Sequence, residues 1–118
     1  MKRFMLKTKI HRATVTRTNL EYEGSLTLDA ALMDEADLLP FEQVQVYNLV
    51  NGERFMTYLI RGERDSGAVE VNGAAAHKAK RGDRLIIAAY AAMEDKEIDF
   101  FVPRILILDE NNKIKELK

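Results

Sequence analysis

Asn51-Gly52 lies between two apolar runs, Val44–Val50 and Arg54–Ile60, an arrangement that commits a chain to β structure. A strand that reverses in two residues needs positive φ at both central positions, which Asn and Gly tolerate best. A hairpin with a type I′ turn is the expectation. The rest of the chain repeats the pattern of short β-branched runs closed by turn residues. Leu6–Thr18 reads as a long strand and Ser25–Leu28 as a short one. Ala68–Val71 reads as a strand closing on Asn72-Gly73, and Leu85–Ala92 as a buried strand. Arg104–Leu108 and Lys113–Leu117 are placed to pair across Asp109–Asn112. Helices are few: Asp29 is placed to cap one over Ala30–Asp37 that Pro40 stops, and Ala74–Lys80 reads as a second. Arg61–Gly67 is a polar loop and Arg81-Gly82-Asp83 a turn. Some seven strands with one or two short helices, in a single domain spanning 1–118, predict a small, mostly β barrel.

Composition matters mainly for what it excludes. Net charge is −1 and the basic residues are scattered, so no nucleic-acid footprint is expected. The longest apolar run, Leu85–Met93, is too short to cross a bilayer as a helix, and the N-terminus lacks the apolar stretch of a signal peptide. No membrane association and a cytoplasmic location are the expectations. Without cysteine there is no disulfide, thiolate zinc site or cysteine nucleophile. His11 and His77 are far apart with no ligand spacing, so no metal is expected.

Glu23-Gly24-Ser25 carries the most distinctive chemistry. A serine after glycine can attack the preceding carbonyl if the fold strains that peptide, because glycine opens backbone conformations closed to other residues. The amide becomes an ester, β-elimination splits the chain, and the resulting dehydroalanine hydrolyses to a pyruvoyl group at position 25. The ordinary alternative is a Gly-Ser turn. No Gly-x-Ser-x-Gly elbow, phosphate loop or dinucleotide fingerprint is present.

Other side chains gather by periodicity. Lys7, Lys9, His11 and Ala13 share one face of the first predicted strand, making either a solvated basic face or a cationic wall for an anion. Arg54 and Tyr58 share a face of the returning strand, with Thr57 opposite unless a bulge intervenes. Arginine binds carboxylates through two parallel bonds, and tyrosine, with a reference pKa of about 10, holds a proton it can donate at neutral pH. The alternative puts Arg54 on the surface and Tyr58 in the core. Asn72-Gly73-Ala74-Ala75-Ala76 sets small residues at a helix start, suiting either close ligand approach or tight packing. His77 reads as structural.

Met5–Arg12, Tyr22–Ser25, Asn51–Tyr58, Val71–His77 and Arg81–Asp83, in this order and spacing, resemble the pyruvoyl-dependent aspartate 1-decarboxylases. The resemblance runs from about residue 5 to about residue 108 and implies a double-psi β-barrel. It implies self-cleavage between Gly24 and Ser25 into chains 1–24 and 25–118, and a pyruvoyl cofactor at position 25 in place of pyridoxal phosphate. The activity implied is decarboxylation of L-aspartate to β-alanine for pantothenate synthesis, the substrate amine forming an imine with the pyruvoyl ketone. Carried over residue by residue, Arg54 helped by Lys9 binds a carboxylate, Tyr58 donates a proton, and Thr57 polarises the Gly24 carbonyl. Asn72, Gly73, Ala74 and Ala75 line the substrate pocket, with His11 beside it. A homotetramer with its pockets between subunits is also implied, and an accessory maturation factor is left open. Two rivals stand outside this class: a β-barrel binding module that never cleaves, and a serine hydrolase pairing Ser25 with His11.

Overall fold

The chain runs β1 (Lys2–Thr14), β2 (Arg17–Asn19), β3 (Ser25–Asp29), α1 (Ala30–Ala36), β4 (Gln43–Asn48), β5 (Arg54–Gly62) and β6 (Val69–Asn72). A 3₁₀ turn at Gly73–His77 leads to β7 (Arg84–Glu94), α2 (Asp95–Ile98), β8 (Arg104–Leu108) and β9 (Ile114–Leu117). This computed structural model describes every residue from Met1 to Lys118. The strands lie in the order β2-β6-β3-β5-β4-β7-β1-β8-β9. β1 and β2 stand far apart in that order, yet only Val15 and Thr16 separate them in sequence, so the sheet must curl until β2 comes round to β1. The Thr16 N–H donates to Val69 O at 2.8 Å and the Val15 N–H to Asp83 O at 2.9 Å, tying the closure from both sides. The result is the expected small, mostly β barrel. Ile10, Leu26, Leu28, Leu59, Ile87 and Leu106 fill its interior with no exposed surface. No helix is long and apolar enough to cross a membrane.

Several local expectations are corrected. The first strand begins at Lys2 and carries two bulges against β7, with Lys7 and Arg12 as the extra residues. Arg12 adopts φ 68, and each bulge shifts the alternation by one residue. Lys9 and His11 therefore keep a common face, but Ala13 turns into the core. Lys7 is drawn into an ion pair with Glu42 at 2.6 Å.

The hairpin at Asn51-Gly52 forms with a longer loop than a type I′ turn. Only Gly52 has positive φ, at 75, and the closing bonds are Gly52 N–H to Asn48 O and Asn48 N–H to Glu53 O, both 2.9 Å. A two-residue turn would have set Tyr47 opposite Met56; the Leu49–Glu53 loop sets it opposite Arg54. Asp29 caps α1 as expected, accepting from the Ala31 N–H at 2.8 Å. The helix ends before Pro40 because Asp37 turns left-handed at φ 55, ψ 50. The segment after Asn72 is the five-residue 3₁₀ turn, too short to add a helix dipole for an anion.

Candidate active site

Ser25 opens β3 with only 1% of its surface exposed. Its φ is 118, a region that L-residues other than glycine rarely enter, and Gly24 before it has φ 20. Two strands hold it there. On one side β6 pairs antiparallel with β3, Ser25 opposite Asn72; on the other β5 runs parallel, Leu26 opposite Leu59. Continued back one and two residues, the parallel register brings Ser25 level with Tyr58 and Gly24 level with Thr57.

Asn72, 3% exposed, occupies the cap position of the 3₁₀ turn but makes no capping bond with its side chain. Its Nδ2 instead donates to Ser25 Oγ at 3.1 Å and to Thr27 Oγ1 at 3.0 Å. Gly73, at φ 69, lies under the residues preceding Ser25. A Cβ there would meet Gly24 N at 2.5 Å, Gly24 Cα at 2.7 Å and Tyr22 O at 2.9 Å. Only glycine lets that backbone settle. The Gly24–Ser25 peptide thus runs between a glycine laid on another glycine and a buried serine in a strained conformation. The bond to Ser25 Oγ comes from Asn72 rather than from His11, whose Nδ1 is buried without a partner. Ala74 is exposed and Ala75 half-buried on the 3₁₀ turn beside this cluster, and His77 is exposed at its end.

The β4–β5 register is regular from Gln43 opposite Tyr58 to Tyr47 opposite Arg54, so no bulge intervenes. Arg54 and Tyr58 share the outer face, and Thr57 points the other way. Tyr58 is 38% exposed rather than core, its ring centroid 6.3 Å from that of Phe41. With Gln43, Met56 and Thr57 these two rings line a cleft of about 480 Å³.

Lys9, His11 and Arg54 all lie on the outer face, the first two on β1 and the third on β5, with β7 and β4 between them. The cross-strand row His11–Ile86–Tyr47–Arg54 places them at one level of the barrel, with Lys9 in the next row. The Arg54 guanidinium stacks 4.4 Å above the Tyr47 ring, and neither Lys9 nor Arg54 is paired with a carboxylate. Burial, then the charges of Lys9, Arg12, Arg84 and Lys118, hold the His11 imidazole below its usual range, which favours the neutral form. The Tyr47 phenol is raised by its 3.2 Å hydrogen bond with Tyr90 and by burial.

In one chain these side chains are spread out: three strand steps, about 14 Å, separate Lys9 and His11 from Arg54. Arg54 and Tyr58 lie four residues apart along extended strand, about 13 Å. Sequence reading missed Thr27 and Tyr47. Thr27 lies two residues from Ser25 on the same face, a period-two signal within reach; the Tyr47–Arg54 contact depended on a hairpin loop whose length the Asn-Gly pair disguised.

The family model described as aspartate decarboxylase matches residues 1–115. The chain is 52% identical over 118 residues to the aspartate 1-decarboxylase of Cupriavidus necator, covering 100% of this chain and 98% of that protein. It is 55% identical over 113 residues to that of Thermoanaerobacter pseudethanolicus, covering 96% and 97%. A third, from Thioalkalivibrio sulfidiphilus, is 54% identical over 110 residues, covering 93% of this chain and 87% of the relative. With the strained Gly24–Ser25 bond at its centre and this likeness along its whole length, the chain belongs to the aspartate decarboxylase family.

Proposed function

We propose that this chain is a self-processing precursor which, once cleaved, decarboxylates L-aspartate to β-alanine and carbon dioxide in pantothenate synthesis. The observation that carries the reading is Ser25, buried at φ 118 behind a glycine, with its hydroxyl held by Asn72. Ser25 Oγ attacks the Gly24 carbonyl carbon, forming the ester as the amide bond breaks. Loss of the Ser25 α-proton then expels the Gly24 carboxylate, leaving chain 1–24 and a dehydroalanine at 25. Water replaces its nitrogen as ammonia, and chain 25–118 begins with pyruvoyl. Strain at φ 118, of order 1–3 kcal/mol, is relieved along this path and so favours it. The Thr57 hydroxyl polarises the Gly24 carbonyl from the facing strand.

The pyruvoyl carbonyl supplies the electron sink that an amino-acid decarboxylation requires. The protein's own residues do the rest. Arg54, stacked on Tyr47 and free of any carboxylate, grips a substrate carboxylate, and Lys9 adds a second positive charge. Neutral His11 borders this wall without repelling a cation. Tyr58 holds the proton delivered to the carbon that the departing carboxylate vacates. Asn72, Gly73, Ala74 and Ala75 shape the pocket around position 25. Arg54 lies about 13 Å from Tyr58 along one strand, so the Arg54 and Lys9 that serve a given Ser25 come from a neighbouring copy. A homotetramer meets that need. Phe4, Phe41, Met56 and Tyr90, respectively 84%, 77%, 59% and 46% exposed, offer the apolar surface for such packing.

Phenylhydrazine tests the reading. It should inactivate the mature protein by adding to a carbonyl on chain 25–118, and a fluorophosphonate should leave Ser25 unlabelled. Labelling of Ser25 by the fluorophosphonate, with no phenylhydrazine adduct, would establish the hydrolase instead.

A further inference from the structure

Asn72 departs from the usual habit of its residue type at a cap position. Asparagine at a cap ordinarily turns its side chain back onto the following backbone N–H groups. Here both protons of Nδ2 are spent on hydroxyls of β3, one on Ser25 Oγ at 3.1 Å and one on Thr27 Oγ1 at 3.0 Å. A carboxamide held by a single bond can turn about its terminal torsion, which is broad and nearly two-fold. The second bond, from the same nitrogen, fixes its plane. Thr27 is itself held. Its β-branched side chain has few rotamers, and its Cγ2 packs over Gly62, 3.0 Å from the position a Cβ would take. That packing leaves Oγ1 aimed at Asn72.

We infer that Thr27 is a positioning residue, acting through Asn72 to aim an amide N–H at residue 25. The inference rests on the proposed function, in which position 25 becomes the reacting group. It adds that Gly62, Thr27 and Asn72 form a relay from β5 through β3 to β6, so that the donor beside the reacting atoms is set by a residue that never touches substrate. Serine 25 loses its Oγ on maturation, and the N–H it accepted is then left facing whatever stands in its place. Thr27 lies outside the carboxylate-binding wall of Lys9 and Arg54, so its effect belongs to turnover rather than substrate affinity.

Thr27→Val keeps the branched shape and removes only the oxygen. It should lower kcat of the mature protein about tenfold, one oriented hydrogen bond's worth, with KM unchanged within about twofold. Thr27→Ser, which restores the oxygen, should recover most of kcat. In an Asn72→Ala background Thr27→Val should cost nothing further, because the residue through which it acts is gone. Independently of activity, hydrogen exchange of the Asn72 Nδ2 protons, followed by NMR on asparagine-labelled protein, should quicken in Thr27→Val. Should valine disturb the barrel, Thr27→Ala removes the same oxygen without adding bulk and is read the same way. An unchanged kcat in Thr27→Val, or an equal loss with and without Asn72, overturns the inference. Failure of the parent chain to cleave at all would instead sink the proposed function, while the exchange measurement would still report on the anchor.

Discussion

Gly73→Ala isolates how tightly the Gly24–Ser25 segment is seated. Two costs arise at this position. The backbone sits at φ 69, where an L-residue with a Cβ loses about 1–2 kcal/mol. Separately, the new Cβ would lie 2.5 Å from Gly24 N and 2.7 Å from Gly24 Cα, both backbone atoms that cannot swing aside like a side-chain tip. Restoring ordinary contact moves Gly24 by roughly 1 Å. A displacement of that size at a reacting centre costs on the order of 10²-fold in rate. Gly82→Ala is the matched control: its φ is 93, with nothing within 4 Å of a Cβ, so it carries the backbone cost without the clash. Freshly purified proteins are followed by intact mass as they warm, alongside thermal melting. Both variants should melt several degrees below the parent, but only Gly73→Ala should cleave about a hundredfold more slowly. Equal cleavage rates in parent and Gly73→Ala, or equal slowing in Gly82→Ala, would refute the claim that close glycine packing sets the Gly24 geometry.

Ser25→Ala should yield neither fragments nor carbon dioxide; decarboxylation persisting in this variant contradicts the mechanism. Tyr58→Phe should cleave normally and turn over poorly, and β-alanine formation at the parent rate would remove Tyr58 as the donor. Asp29, 4% exposed, accepts from the Ala31, Asp65 and Gly67 N–H groups at 2.8–2.9 Å, so Asp29→Ala should destabilise by about 2–4 kcal/mol in denaturant titration. The His11 imidazole is held below its reference value of 6.5 by burial and by Lys9, Arg12, Arg84 and Lys118. The unfolded chain therefore takes up its proton first as pH falls, so the His11 contribution to stability is complete above 6.5 and is lost below it. Melting temperature should decline through that window, and His11→Gln should flatten the decline; an unaltered slope would place the titrating group elsewhere.

Much of this was legible in the residues, for reasons that particular positions make plain. β-branched runs bounded by Asn-Gly, Gly-Asp and Asp-Glu-Asn-Asn segments located most strands, because those turn residues act locally. Asp29 announced a helix start for the same reason, and the shared face of Arg54 and Tyr58 followed from a period that nothing interrupts. What escaped depended on partners distant in sequence. The bulges at Lys7 and Arg12 appear only in the register with β7, which no window on β1 reveals. The 3₁₀ turn at Gly73–His77 begins where Gly73 lies against Gly24, a partner distant in sequence. Ser25, at φ 118, lies on a strand held between β5 and β6, partners that the Glu23-Gly24-Ser25 stretch alone does not reveal.

Intact mass spectrometry of the purified protein addresses the central claim most directly. Two species should appear, residues 1–24 and residues 25–118, together heavier than the parent chain by only the difference between water and ammonia. That small excess is the signature of a keto group replacing the Ser25 nitrogen, whereas simple hydrolysis would add a whole water. An active preparation in which the chain is intact, or in which the fragments sum to the parent plus water, would contradict the account.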